Sequence, residues 1–71
     1  MTQGERIVKY MQDFGTITPM EAFSDLGITK LATRVSELRR EGMKIHKEPV
    51  NKVNRYGESV RYMQYSLEQE V

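Results

Sequence analysis

The chain has 71 residues, a formal net charge of +1, no cysteine and one histidine. A single small domain of this size buries only about 60% of the surface its unfolded chain exposes, so its fold rests on packing with little margin. The composition excludes disulfides, thiolate metal sites and a histidine-based zinc cage. No apolar run approaches the roughly 20 residues of a membrane span, and the N-terminus lacks the basic-then-apolar order of a signal peptide. A cytoplasmic protein without metal or cofactor is expected.

The first predicted element opens at Thr2, which with Glu5 has the Thr-x-x-Glu spacing of a capping box. Ile7, Tyr10, Met11 and Phe14 then recur at three/four spacing, which predicts a core-packing helix over residues 3–14, ended by Gly15. Ile17 falls in a short extended connection. Thr18, Pro19 and Glu21 supply a second N-cap, a proline at the first helical position and another capping box. Ala22, Phe23 and Leu26 form the expected buried side of this second helix, and Gly27 stops it.

Only Gly27, Ile28 and Thr29 separate that stop from the next periodic run, the sequence form of a helix-turn-helix. At about 100° per residue Ile28, Leu31, Val35 and Leu38 share one arc. Ala32 is expected at its edge, where a small residue lets the second helix approach. Gly42 ends the third helix.

Beyond Gly42 the period changes to alternation. Met43 to His46 and Val60 to Tyr62 read as strands, and Met63, Tyr65 and Leu67 alternate in the opposite parity. That slip implies either a bulge or a strand end covered on both faces. Pro49 argues against continuation of the first strand, and Val50 to Ser59, with Asn51, Asn54 and Gly57, reads as a long hairpin loop.

Three helices followed by a two-stranded β-hairpin wing make an α+β winged helix-turn-helix, with a minor third strand near Ile17 left open. The domain is expected over residues 1–67, with an acidic tail at 68–71. Gly15-Thr-Ile-Thr-Pro19, Leu26-Gly-Ile28, Ser36-Glu-Leu-Arg-Arg-Glu-Gly42, and Asn54-Arg-Tyr-Gly-Glu58 running on to Tyr65 carry a resemblance over residues 4–67. The chain resembles the small winged helix-turn-helix domains of phage and prophage proteins. The resemblance implies a DNA-binding regulator.

Charge is unevenly divided in a way that fits this. Residues 29–61 hold nine Lys/Arg against four Glu, a local +5, while the flanking segments are acidic. No catalytic constellation is present: there is no glycine-rich phosphate loop, and the serines have only His46 as a distant base. A non-enzymatic binding protein is expected.

The front of a recognition helix reads base edges, which makes Lys30, Thr33 and Arg34 the candidates there. Lys or Arg donates to guanine O6 and N7, and a Thr methyl meets thymine. Thr29 is placed to hold a phosphate at the helix start. Glu37 either accepts from cytosine or pairs with Arg34 or Arg40, and pairing is the favoured reading. Arg39 lies near the apolar side, where its stem packs. Arg40 is a phosphate candidate that also sits where cations favour the helix dipole.

In the wing Lys47, Lys52, Arg55 and Arg61 interleave with Asn51, Asn54 and Tyr56. Lys52, Asn54 and Arg55, around the tip, are the chosen contacts to the flanking backbone or minor groove. The expected partner is double-stranded DNA, read by a transcriptional or recombination regulator. A homodimer or protein partner, and a protein-interaction module that does not read DNA, are the alternatives.

Overall fold

The alternation of capped helices and turn signals resolves into six elements in the computed structural model, which describes residues 1–68. They are helix α1 (Gln3–Phe14), strand β1 (Thr16–Ile17), helices α2 (Pro19–Leu26) and α3 (Leu31–Arg40), and strands β2 (Ile45–Val53) and β3 (Ser59–Leu67). Of the expected acidic tail, residues 69–71 lie outside the described residues.

Local chemistry sets the helix ends. Thr2 and Thr18 each accept from the backbone N–H of the glutamate three residues on, and that glutamate accepts from the cap's own N–H, so both capping boxes are complete. Each box satisfies two donors that a helix start otherwise leaves orphaned. α3 begins differently: Lys30 is its N-cap, with no side-chain hydrogen bond, so Thr29 and Lys30 precede the helix instead of forming its first turn. At its other end the Met43 N–H donates to the Leu38 carbonyl at 3.0 Å and the Gly42 N–H to the Arg39 carbonyl at 3.0 Å. These are the two bonds of a Schellman motif, and Gly42 takes the φ of 100° that the motif demands.

The sheet is antiparallel with order β1-β3-β2. β1 is the minor third strand, pairing Thr16 with Ser66 and Ile17 with Tyr65. β2 and β3 pair without interruption from Ile45↔Leu67 to Val53↔Ser59. The parity slip at Tyr62 and Met63 is therefore no bulge. Residues 62–67 of β3 are all buried or half-buried: Met63, Tyr65 and Leu67 lie with the core, and Tyr62, Gln64 and Ser66 are on the other face of the sheet's central strand.

The long loop expected over residues 50–59 is instead mostly strand, and Pro49 lies inside β2. Asn54 donates to Glu58 at 2.9 Å and Lys44 accepts from Glu68 at 3.1 Å, so even-numbered residues of β2 bond to β3. Pro49, opposite Met63 and of odd number, turns its nitrogen to the open edge of the sheet, where a missing N–H breaks no ladder bond. Nine residues at about 3.3 Å each reach about 30 Å. The molecule measures 39 × 29 × 21 Å, and the outer half of the hairpin stands clear of the body as a wing.

The core joins Ile7, Tyr10 and Met11 of α1, Ile17, Ala22, Ile28, Leu31, Val35 and Leu38, Ile45 and Tyr65. Three expected members are elsewhere. Phe14, at the last position of α1, overhangs the core with 70% exposure and sets its ring 4.7 Å from that of Tyr10. On α2, Glu21 and Asp25 face the Tyr10 hydroxyl and Ala22 points inward, which leaves Phe23 59% exposed. Ala32 is exposed, so the expected approach of α2 is not made there; a close approach between α1 and α3 is found instead at Gly4, where an added Cβ would stand 3.1 Å from Leu38 Cδ2.

The Tyr10 hydroxyl donates to Asp25 Oδ2 at 2.7 Å, beside Glu21 Oε2 at 3.5 Å. The bond to the Asp25 carboxylate, with burial and the negative charge of both acids, pushes the phenol up to about 12 from 10.0. Two outcomes follow. Ile17→Ala should cost about 2–5 kcal/mol in urea unfolding, a large part of the ~5–15 kcal/mol of a typical domain, whereas Phe23→Ala should stay within about 0.5 kcal/mol. Because the phenol's folded pKa is the higher one, its stabilising contribution is complete below pH 10 and disappears as pH rises through about 12. Tyr10→Phe should therefore lower stability at neutral pH and flatten its loss across that window, and should remove the latest tyrosinate absorbance step.

Candidate nucleic-acid interface

With Leu31, Val35 and Leu38 committed to the core, the opposite side of α3 presents Ala32, Thr33, Ser36 and Arg40, all exposed. Thr29 and Lys30 are exposed in the turn ahead of it. Ala32 and Ser36 are additions to the expected set. Ser36 stands about 140° round from Leu31 by the angular count of an α-helix, so the periodicity that finds the core also finds it.

The two flanks of α3 are occupied. Arg34 is half-buried on the side toward α1, lining a groove with Gly4, Val8, Glu37 and Leu38. Its Nη1 lies 3.0 Å from Glu37 Oε1, so the pairing expected of Glu37 is made with Arg34. A partly exposed pair of this kind is worth about 0–1 kcal/mol, enough to orient the guanidinium without fixing it. On the other flank Arg39 donates through Nε, at 3.1 Å, and through Nη2 to the Ile45 carbonyl. Arg39 thus ties the helix end to the first residue of β2, and of the Arg39-Arg40 pair only Arg40 points outward without an acceptor among the described residues.

The wing tip is a three-residue loop, Arg55-Tyr56-Gly57. The Gly57 N–H donates to the Asn54 carbonyl at 3.1 Å and Gly57 has a φ of 78°, the turn-plus-bulge geometry usual for loops of this length. Asn54 holds it. Its Oδ1 accepts from the backbone N–H of Tyr56 at 2.9 Å and of Glu58 at 3.0 Å, and its Nδ2 reaches Glu58 Oε1 at 3.4 Å. Its amide is thus spent on the turn, while Arg55 and Tyr56, the latter 83% exposed, project from it.

Strand alternation separates the remaining wing residues. Lys47, Pro49, Asn51 and Val53 share a sheet face with Arg61, Met63 and Tyr65, the face that carries the core. Lys52, opposite Val60, is on the other face. Arg61 and its cross-strand neighbour Asn51 are thus the polar pair that continues the core side outward, and Lys52 backs it. Residues 50–59, expected as a loop, thereby gain faces, with Asn51 and Val53 on the core side and Lys52 on the other.

Among the described residues Lys30, Arg40, Lys47, Lys52, Arg55 and Arg61 form no ion pair. No group of three or more His, Asp or Glu side chains among them is placed to hold a metal ion, and no helix is long and apolar enough to cross a membrane.

A family model described as a winged helix-turn-helix domain matches residues 2–70. Comparison with curated proteins and with solved structures returns no match.

Removing the amide that organises the wing tip tests its geometry directly. In Asn54→Ala the backbone amides of Tyr56 and Glu58 should lose protection against hydrogen exchange while those of Ile7 and Val35 keep theirs. Global stability should fall by about 1 kcal/mol or less per lost bond.

Proposed function

The chain belongs to the winged helix-turn-helix domain family, and we propose that it is a non-enzymatic, sequence-specific binder of double-stranded DNA. One observation carries the reading: the segment of local charge +5 coincides with α3 and the wing, and six of its cations have no ionic partner among the described residues. Solvated cations without internal partners are available to phosphates, and each neutralised phosphate releases counterions.

In this reading Ala32, Thr33 and Ser36 enter the major groove with Lys30 and Thr29 at the leading end, and Arg40 holds a phosphate. Arg34 joins the base contacts only by leaving Glu37. Arg55 engages the flanking backbone or minor groove from the tip that Asn54 shapes, with Arg61 and Lys52 behind it. A single module covers about 600–1,000 Å² of protein surface, so useful specificity calls for a homodimer, tandem sites or a partner protein. Cytoplasmic action as a small phage or prophage regulator of transcription or recombination completes the proposal. The exposed Phe14, Met20 and Phe23 favour a second reading, in which the domain also or instead docks a protein.

Duplex affinity measured against salt tests it. The logarithm of the association constant should fall linearly with that of salt, by about 0.9 for each phosphate neutralised, and Arg40→Ala or Arg55→Ala should each lessen the slope by about one. A flat salt response, or no duplex binding at low salt, sinks the proposal.

A further inference from the structure

The front of a helix entering the major groove reads whatever its outward side chains can touch. Here the expected guanine reader is turned aside: Arg34 lies on the α1 flank, 3.0 Å from Glu37. Lys30 is outside the helix, as its N-cap. The outward side chains of the first helical turn are then Ala32 and Thr33, both exposed and both ending in a methyl group. Neither Thr33 nor Ser36 makes a side-chain hydrogen bond among the described residues. Cations without partners stand at either end, Lys30 before the turn and Arg40 two turns beyond it.

From this arrangement we infer that Thr33, supported by Ala32, is the specificity-determining residue of α3, and that it reads the C5-methyl group of a pyrimidine in the major groove. The inference rests on the DNA-binding reading above and adds the chemistry that the site selects. A thymine methyl projects into the major groove and is met by Ala or the Thr methyl, with no charge needed. 5-Methylcytosine presents the same group at the same ring position. The flanking cations fix the helix on phosphates and contribute no sequence preference of their own.

Burying one methyl corresponds to about fourfold in affinity, which sets the expected effect. The probe is the duplex recovered by the intact chain from a random-sequence pool. Replacing its thymines one at a time by deoxyuridine removes the C5-methyl and keeps base pairing. Binding should weaken about fourfold at one or two adjacent positions and stay unchanged elsewhere. Thr33→Ser, which lacks the methyl, should abolish that sensitivity at one of them, and Thr33→Val should preserve it. With cytosine substituted for thymine at those positions, replacing that cytosine by 5-methylcytosine should strengthen binding about fourfold, which identifies methylated DNA as a second source of the same group. Binding that is indifferent to the methyl at every position, or that fails when Arg34→Ala removes a guanine contact, overturns the inference and leaves DNA binding standing. Absence of any recovered duplex overturns the DNA-binding reading itself.

Discussion

The pairing of β3 on both sides is the constraint on which the rest of this molecule depends. Tyr65 is buried between Ile17 of β1 and Lys47 of β2, so one strand near the C-terminus locks the connection between the first two helices and carries the wing. Few other long-range restraints are available to a chain of this length with no cysteine. Gln64 adds a side-chain bond to Thr16 at 3.1 Å across the same junction. β3 turns a three-helix cluster into a platform with a fixed hairpin.

That platform orients α3 by gripping its two flanks and its end. Leu31, Val35 and Leu38 seat the helix on the core. Arg39 anchors it to the Ile45 carbonyl, and the Schellman bonds to Leu38 and Arg39 stop it where β2 must begin. The conspicuous double arginine thus divides its labour. Arg39 is consumed by the helix-to-strand connection, and Arg40 is left facing solvent. Charge at a helix end does not by itself distinguish the two, since both positions suit the helix dipole; the difference is the 100° that separates consecutive side chains.

What was legible in the sequence is what is decided locally. Thr2 with Glu5, and Thr18 with Pro19 and Glu21, fix helix starts through bonds spanning three residues, and Gly27 and Gly42 fix helix ends through backbone angles that other residues resist. The parity of Tyr62 and Met63 was legible as a question, and only the partners of β3 answer it. Phe14, Phe23 and Ala32 were misplaced because periodicity gives a face and not the amount of neighbouring structure available to cover it. Pro49 was misread for a related reason: whether its missing N–H matters depends on which way that residue faces within the pair and whether a strand lies beyond. On the interface, Asn54 was recognisable as a turn former, yet nothing in its own neighbourhood said that both ends of its amide were already spent.

The division of charge adds a kinetic argument to the geometric one. The body that precedes α3 carries a net −2 over residues 1–28, and the +5 segment that follows it folds into α3 and the projecting hairpin. On the DNA-binding reading, the charges of that segment act on a duplex over about a Debye length of 8–10 Å in physiological salt. The wing, standing clear of the body, comes within that range early. Its tip is held by Asn54 and Gly57, so the backbone that presents Arg55 and Tyr56 is ordered in advance. The small net charge of the whole chain therefore understates the positive charge that α3 and the wing carry.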